Sequence, residues 1–348
     1  MITGPRSGVT IVVVIDSTVL GPALGGCRIT SYPTWNDGLD DAVRLAAAMS
    51  EKAALSGLHH GGGKTVAVLP GDGPLPADRR VDLLHDIGDL VQAQQGRYWT
   101  GPDVGTSPDD MAVIAAGTHR VFCRPRHLGG SGDSSGPTAT GTLAALDHLR
   151  RRVLAGRGWD TIAVTVLGLG RVGSRIAAAL AGRGARLTVS DVAADRQVLT
   201  GRLGARWSPP EEALTAPADI LVPAATGGLL TAAVVDRLSC RVIAGPANNQ
   251  LDDPATGDLL HARGILWAPD TVVSAGGVVY ATAVEIDQLP HDDAVHRVHQ
   301  IAGRLDDVLN AAQQHDLSPA AAARQLARRR LLGPAAGEQG AGQRTRIH

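Results

Sequence analysis

The sequence is poor in cysteine, in aromatic residues and in lysine. Cys27, Cys123 and Cys240 are an odd number without CxxC spacing, so we expect neither a disulfide framework nor a metal site built from thiolates. No metal site of another kind is predicted, and the cysteine usage favours a reducing, cytoplasmic setting.

Charge and hydropathy exclude two kinds of partner. The formal net charge of −1 over 348 residues gives no overall positive field for nucleic acid or an anionic membrane. No uninterrupted apolar run is long enough to cross a bilayer. The apolar run 9–15 ends at Asp16 without a small-residue cleavage pattern, so we predict a strand there rather than a signal peptide. We expect no nucleic-acid and no membrane partner.

Lysine is the scarcest of the chemically useful residues. Of 33 basic residues only Lys52 and Lys64 are lysines, and both fall in one short glycine-rich segment. A buried ammonium group can lose its proton, whereas a guanidinium group cannot. The two lysines are therefore the first candidates for chemistry.

Length and patterning predict two domains, because 348 residues exceed what one core usually organises. The predicted elements of the first half are a strand at 9–15, a glycine-rich turn at 21–26, a helix from Asn36 or Asp37 towards Lys52, a loop at 59–64, a strand at 65–69, a helix at 81–95, an extended segment at 97–100 and a turn at 101–103.

After a Gly-, Ser- and Asp-rich stretch at 129–137, interpreted as a hinge, strands alternate with helices, which indicates a parallel doubly wound sheet. Strands are expected at 161–167, 186–190, 219–222, 241–244 and 265–268, and helices at 138–155, 292–314 and 319–332. We predict an α/β protein with one domain over 1–135 and a Rossmann domain over 136–310. A C-terminal helix at 311–332 should pack back on the first domain, and 333–348 should be disordered.

The second predicted domain contains a sequence motif that is typical of dinucleotide binding. Gly168, Gly170 and Gly173 follow a predicted strand and open a helix, and Asp191 ends the next strand. The glycines permit a tight turn and close approach of a pyrophosphate to the helix N-terminus. Asp191 can accept hydrogen bonds from ribose hydroxyls and would repel a 2′-phosphate, so NAD is expected rather than NADP.

Three other motifs fail on spacing or context. The segment 57–65 misses the phosphate-binding P-loop by one position. The segment 132–137 resembles a serine-protease nucleophile segment but has Ser135 in place of a glycine, and the chain is too helical for that fold. The pair His59 and His60 lacks further ligands at suitable spacing and is interpreted as loop.

Taken jointly, several segments resemble the leucine/phenylalanine/valine dehydrogenases, and the resemblance runs in order from about residue 9 to 332. The segments are GPALGGCR at 21–28, KAALSG at 52–57, GGGK at 61–64, TGPDVGT at 100–106, AGPANNQ at 244–250 and 268–277. The resemblance implies an N-terminal α/β substrate domain, a C-terminal Rossmann domain, a homo-oligomer, and reversible oxidative deamination of a small-molecule amino acid to its 2-oxo acid with NAD.

The resemblance also implies roles for individual residues. Lys52 matches the lysine that pairs with the substrate carboxylate, Lys64 the lysine that activates water, and Asp103 the carboxylate that exchanges protons with the amino group. In the same way Gly25 and Gly26 belong to the substrate site, and the cofactor site includes Thr138, Arg171, Val172, Ala224 and Asn249.

Side-chain specificity can be predicted in part. Related glutamate dehydrogenases carry a lysine at the place of Leu24, so a substrate carboxylate would be unpaired here and an apolar substrate is expected. Gly101 stands where the phenylalanine enzymes have glycine, with Val278 and Ala281 opposite, so phenylalanine or another bulky substrate is one expectation. Ser274 replaces the usual asparagine at a substrate contact.

Two other functions stay open. Ser274, and a start close to the first strand where family members have a further helix and strand, favour a non-catalytic homologue that binds NAD or an amino acid. A dehydrogenase of 2-hydroxy acids is less consistent with the paired lysines and with the lack of a histidine beside a carboxylate in the cofactor half.

Overall fold

The computed structural model describes residues 1–69, 71, 73 and 75–332 and contains two sheets. The expectation of disorder at 333–348 lies outside the described residues. In the described part, no helix is both long and apolar enough to cross a membrane.

The first sheet has the strand order β1-β2-β4-β3-β5. Its strands are β1 (Ile2–Thr3), β2 (Thr10–Ile15), β3 (Ala23–Ser31), β4 (Gly61–Leu69) and β5 (Tyr98–Pro102). Strand β3 runs parallel to β4 and β5, whereas β2 pairs antiparallel with β4 and β1 with β2. Strands β3, β4 and β5 therefore run in the same direction, and β5 ends beside the middle of β3.

Two glycine-rich segments predicted as a turn and a loop are strands instead. The turn at 21–26 contains the start of β3, and the loop at 59–64 contains the start of β4. The two backbones lie so close that a Cβ atom on Gly25 would be 1.9 Å from the carbonyl oxygen of Gly63. Glycine is needed there for close backbone approach, which a sequence pattern cannot distinguish from a turn.

The described part of the first domain also contains the helices α1 (Trp35–Leu55), α2 (Ala77–Gln92) and α3 (Pro108–Ile114). Helix α1 begins earlier than predicted because Thr34 is its N-cap and forms a capping box with Asp37. Its last turn carries Lys52. A core of side chains from β2, β3, α2, α3 and β5 holds α2 and α3 against the sheet.

The second sheet is parallel with the order β11-β10-β9-β6-β7-β8, which is the 3-2-1-4-5-6 order of the Rossmann fold. Its strands are β6 (Ala163–Leu167), β7 (Arg186–Ser190), β8 (Arg206–Trp207), β9 (Ile220–Pro223), β10 (Val242–Ile243) and β11 (Leu266–Trp267). The predicted two-domain α/β fold with a Rossmann domain is confirmed.

The helices of this half surround the second sheet and reach back to the first domain. They are α4 (Ser135–Val153), α5 (Gly173–Gly182), α6 (Leu199–Leu203), α7 (Pro210–Ala213), α8 (Ala232–Val235), α9 (Thr256–Ala262), α10 (Asp270–Val273), α11 (Gly276–Glu285), α12 (His291–His299), α13 (Ile301–His315) and α14 (Pro319–Leu332). The helix expected at 292–314 is two helices that meet at Gln300.

Helix α14 contacts α1, α9 and α13. The guanidinium group of Arg330 donates a hydrogen bond of 2.8 Å to the carbonyl oxygen of Ala54, close to the end of α1. The largest core cluster combines side chains of α1 with those of α4, α11, α13 and α14. This packing sets α1 beside the helices of the second half.

Candidate active site

A cavity of about 360 Å³ lies between the second domain and the middle of β3 and β4, beside the end of β5. Both domains line it. The lining residues include Gly26, Arg28, Leu45, Met49, Lys52, Lys64, Asp103, Phe122 and Cys123 from the first domain, and Thr138, Arg171, Val172, Asn248, Asn249, Asp270, Ser274, Gly277 and Val278 from the second.

A lysine, a carboxylate and an arginine form the polar floor of this cavity. The Nζ atom of Lys64, on β4, lies 2.5 Å from the Oδ2 atom of Asp103, which follows β5. The Nε atom of Arg28, on β3, lies 3.0 Å from the same oxygen. In the described part no group donates to Oδ1 of Asp103. A Cβ atom on Gly26 would be 2.8 Å from Cβ of Asp103, so glycine leaves the room that this group occupies.

Burial and neighbouring charges act in opposite directions on the pKa values of Lys64 and Asp103. Burial lowers the pKa of Lys64, which is only 5% exposed, although the neighbouring Asp103 carboxylate opposes this. Burial alone would raise the pKa of Asp103, but the charges of Lys64 and Arg28 outweigh it and hold that pKa below its usual range. The neutral form of the lysine and the ionised form of the carboxylate are therefore both favoured relative to the free side chains.

The second lysine contacts the other domain. The Nζ atom of Lys52 donates a hydrogen bond of 2.6 Å to the Oδ1 atom of Asn248. The Oγ atom of Ser274 lies 3.3 Å from that oxygen and donates a bond of 2.6 Å to the carbonyl oxygen of Asp270. Burial lowers the pKa of Lys52, with Asp270 opposing, and burial raises the pKa of Asp270.

The apolar wall differs from the expectation for Gly101. A Cβ atom on Gly101 would be 2.2 Å from the ring of Phe122, so this ring fills the space that the missing methyl group would leave. The predicted widening of the pocket at Gly101 is therefore absent. Phe122 lines the cavity, together with Val278 of α11.

Four predicted substrate residues do not line the cavity in the described part of the chain: Leu24, Gly25, Gly101 and Ala281. Leu24 and Ala281 are fully buried in the core that joins the two domains. Gly25 packs against the backbone of β4. Their positions shape the walls behind the cavity rather than its surface. The other four, Gly26, Lys52, Ser274 and Val278, line it.

The glycine fingerprint forms a cradle between β6 and α5. Gly168 has a φ of +99°, and a Cβ atom on Gly173 would be 1.9 Å from the carbonyl oxygen of Gly168. Nothing lies within 4 Å of a Cβ atom built on Gly170, which leaves open space at the amino end of α5. The Oδ2 atom of Asp191 accepts a 2.6 Å hydrogen bond from the main-chain nitrogen of Leu169. This arrangement fits the pyrophosphate and ribose of a dinucleotide.

The remaining predicted cofactor residues connect the cradle with the cavity. Arg171, Val172, Thr138 and Asn249 all line the cavity. Ala224, just after β9, leaves no room for a side chain at either glycine, since a Cβ atom on Gly168 would be 2.8 Å from its carbonyl carbon and one on Gly173 would be 3.1 Å from its Cβ. The structure thus brings the cradle to the same cleft as Lys52, Lys64 and Asp103, so a dinucleotide and a small substrate can meet there.

The roles of Arg28, Phe122, Asn248 and Asp270 were not predicted from the sequence. Arg28 lies two residues after Gly26 on the same strand face, and Asn248 precedes Asn249, so position alone offered a weak signal for both. Phe122 is the single phenylalanine of the chain, and Asp270 follows a strand end in the cofactor half. Neither fact singles out a site residue by itself.

A Rossmann domain that faces a second α/β domain across a cleft with two lysines fits the class of dinucleotide-dependent oxidoreductases. Two family models match the chain: Glu/Leu/Phe/Val dehydrogenase, dimerisation domain, at residues 7–120, and Glutamate/Leucine/Phenylalanine/Valine dehydrogenase at 192–336.

Individual relatives agree with the family models. The chain is 33% identical to the leucine dehydrogenase of Geobacillus stearothermophilus, covering 94% of this chain and 88% of the relative. It is 33% identical to the phenylalanine dehydrogenase of Caldalkalibacillus thermarum, covering 94% and 89%. The crystal structure of L-tryptophan dehydrogenase from Nostoc punctiforme superimposes with a TM-score of 0.78 at 31% identity, covering 93% of this chain and 92% of that one.

The chain belongs to the Glu/Leu/Phe/Val dehydrogenase family. It is an amino acid dehydrogenase, an oxidoreductase that acts on CH–NH2 groups with a nicotinamide dinucleotide. The resemblance seen in the sequence is confirmed.

Proposed function

We propose that this protein catalyses the reversible, NAD-dependent oxidative deamination of an aliphatic L-amino acid to the 2-oxo acid and ammonia. The observation that carries the proposal is the buried contact between Lys64 and Asp103 at the floor of a cavity that also reaches the dinucleotide cradle. Hydride transfer needs such a meeting point, and deamination needs a base and a proton carrier beside it.

The assignment of NAD rests on Asp191. This carboxylate follows β7 and is hydrogen-bonded to Leu169 of the glycine loop, where the ribose hydroxyls of a bound dinucleotide would lie. A 2′-phosphate at that place would meet a negative charge. When bound, the nicotinamide would accept the hydride from the substrate Cα. Residues of the chain bind and orient the substrate and transfer the protons.

Lys52 binds and orients the substrate. Lys52 presents an ammonium group in the cleft, held at 2.6 Å by Asn248, and a substrate carboxylate would form an ion pair with it. Ser274 is hydrogen-bonded to Asn248 and to Asp270, so it orients the partner of Lys52 rather than reaching far into the cavity. We infer that Asn248 supplies the polar contact that the replaced asparagine would make.

Lys64 and Asp103 transfer the protons. Loss of hydride leaves an iminium group at Cα, and a water must attack this carbon while it gives up a proton. Lys64 accepts that proton in its neutral form, which burial favours by lowering the pKa of its ammonium group. Asp103 exchanges a proton with the departing amino group through Oδ1, since its Oδ2 atom is held by Lys64 and Arg28.

The preference for an aliphatic side chain rests on the apolar wall. Phe122 closes the side of the cavity beside Gly101, and Val278 lines the cavity as well. A substrate carboxylate there would be left unpaired, which is costly. An aliphatic side chain fits this wall better than a phenyl or indole ring.

The same proposal includes a homo-oligomer in the cytoplasm. The family model that matches residues 7–120 is described as a dimerisation domain. The three cysteines are free and buried, which suits a reducing compartment. The first sheet is the part of the chain where we expect the contact between subunits.

Formation of NADH with a panel of L-amino acids tests the proposal. Turnover with valine, leucine or isoleucine, less with phenylalanine and tryptophan and none with glutamate, is the expected result. Lys64→Arg is the matched control because it keeps the charge but removes the titratable base. Binding of NAD without turnover of any amino acid would instead support a non-catalytic homologue.

A further inference from the structure

A second cavity, of about 200 Å³, lies one helical turn away from the candidate active site along two helices. Lys52 on α1 and Val278 on α11 line the first cavity, whereas Ser56 and Thr282, each four residues further on, line the second. The second cavity therefore lies behind the cleft, between the end of α1 and the helices α11, α12 and α13. None of the roles proposed above uses it.

Among the described residues, one polar atom of this cavity lacks a partner, and one guanidinium group beside it has only a distant carboxylate as its partner. The Oγ atom of Ser56 is buried without a hydrogen-bond partner among the described residues. The guanidinium group of Arg304 lies over Gly57, since a Cβ atom on Gly57 would be 2.7 Å from Nη2. Within the described part, this group has no acceptor at hydrogen-bond distance, and the carboxylate of Asp307 lies 3.9 Å away. Buried polar atoms normally find partners, so the hydroxyl of Ser56 points to a ligand, and the partly exposed guanidinium group of Arg304 supplies a positive charge beside it.

The surroundings are positively charged. Arg297 and Arg304 line the cavity, and Asp287, the single carboxylate lining its described walls, is paired with Arg297. Arg330 lies nearby and donates to the carbonyl oxygens of Ala54 and Leu58. Its pKa is lowered by burial and further by the charge of Arg304. An anion beside Arg304 in the cavity would reduce the repulsion that Arg304 exerts on Arg330.

We propose that the second cavity binds a phosphate group, as inorganic phosphate or as a small phosphate monoester, with Arg304 and Ser56 as its ligands. The planar fork of a guanidinium group matches phosphate oxygens, and a serine hydroxyl donates one more hydrogen bond. The volume accommodates a group of this size. The Ser56 side of the cavity belongs to the first domain, whereas Arg304 belongs to α13.

Because its ligands come from both sides of the molecule, a bound phosphate favours the domain arrangement described here. The same arrangement brings Lys52 against Asn248 across the cleft. Phosphate binding and amino acid binding are therefore coupled, and each strengthens the other. This second statement rests on the proposed function, whereas the binding site itself does not.

Titration calorimetry with inorganic phosphate, in a buffer free of phosphate and sulfate, tests the site without any assay of activity. The wild type should bind one phosphate per chain. Arg304→Gln should weaken binding about tenfold or more, and Ser56→Ala several-fold, because each removes a donor to a charged acceptor. Arg328→Gln is the matched control, since Arg328 is exposed on α14 and carries the same charge.

Three results would overturn the proposal: no binding by the wild type, equal binding by Arg304→Gln and the wild type, or loss of binding in Arg171→Gln with retention in Arg304→Gln. The last would place phosphate in the dinucleotide cradle. Ser56→Ala keeps the test independent of folding, because it removes a hydroxyl that has no partner in the described structure. Its melting temperature should equal that of the wild type.

A second titration with adenosine 5′-monophosphate distinguishes the sources. Binding that depends on Arg304 in both titrations supports a monoester ligand, and binding of inorganic phosphate alone supports the free ion. In the dehydrogenase assay, phosphate should lower the KM for the amino acid in the wild type and in Arg328→Gln but not in Arg304→Gln. If calorimetry succeeds and turnover is absent, the site stands and the proposed function fails.

Discussion

Ser131 donates two hydrogen bonds to one oxygen of Glu285, from its main-chain nitrogen at 2.8 Å and from its Oγ atom at 2.6 Å. The same oxygen accepts a bond of 2.6 Å from the main-chain nitrogen of Cys123. Glu285 lies at the end of α11, with 1% of its side chain exposed, and so it fastens the segment expected to be a hinge to the second domain. Cys123 is held there with a φ of +59°, a conformation unusual for a residue with a side chain.

Removal of this carboxylate should destabilise the protein strongly. Glu285→Ala leaves several buried donors without an acceptor, and the expected loss is about 3–5 kcal/mol. Glu285→Gln keeps one acceptor and should lose less. Denaturation followed by circular dichroism measures both, and equal stability of Glu285→Ala and wild type would contradict the structural role of Glu285.

The rate of oxidative deamination should depend on the ionisation of Lys64. The neutral amine is the active form, so the rate should increase as pH rises through the pKa of Lys64, which burial holds below its usual value. Lys64→Arg should lose activity by at least about a thousandfold, within the range that general bases contribute. A pH–rate profile and single-turnover kinetics measure this. An arginine variant with a normal profile would exclude Lys64 as the base.

The same two groups predict how stability varies with pH. The pKa of Asp103 is lowered in the folded state, so its contribution is present above its unfolded pKa and is lost as pH falls through the folded value. The depressed pKa of Lys64 acts at alkaline pH, where the unfolded chain binds more protons and stability rises with pH. Asp103→Asn should flatten the acid part of the curve, as measured by urea denaturation from acid to neutral pH. An unchanged acid limb would contradict this.

The pair Gly101 and Phe122 should control which side chain is accepted. Phe122→Val enlarges the cavity and should raise the ratio of kcat/KM for phenylalanine to that for leucine by about tenfold or more. Gly101→Ala should destabilise the wild type, because its methyl group would meet the ring at 2.2 Å, but it should be tolerated in the Phe122→Val background. Steady-state kinetics and melting temperatures complete this double-mutant cycle. Additive effects would show that the two positions act independently.

Two glycines of the cradle should respond differently to the same change. Gly173→Ala should destabilise the fold, since the new methyl group would overlap the carbonyl oxygen of Gly168. Gly170→Ala meets nothing within 4 Å, so the melting temperature should not change, yet NAD binding should weaken because the methyl group occupies the space of the pyrophosphate. Calorimetric titration with NAD separates the two cases. Full NAD affinity in Gly170→Ala would place the cofactor elsewhere.

The sequence was most informative where residue type alone carried the signal. The alternation of apolar runs and helices from 161 onwards, the glycine fingerprint and the two lysines followed from local pattern, and the fold class and family are confirmed. Strand β3 and the first four residues of β4 were not predicted as strand. Glycines where two strands approach closely have the same sequence pattern as glycines in a turn.

Long-range pairs explain most of the remaining differences. Lys52 and Asn248 are 196 residues apart, and nothing local indicates that they meet. The ring of Phe122 reaches Gly101 only after β5 and the segment after α3 come together, as the bridge between Thr100 and Val121 shows. A missing side chain in the sequence therefore did not translate into empty space in the structure.

The distribution of the two lysines has a practical consequence for covalent labelling. Every other basic side chain apart from histidine is an arginine, Lys64 is buried, and Lys52 is partly exposed at the cleft. Lys52 is therefore the lysine side chain that an amine-reactive reagent can reach, and a bound amino acid should shield it. Acylation of Lys52, measured by mass spectrometry, would therefore report occupancy of the cleft, because the other lysine is buried.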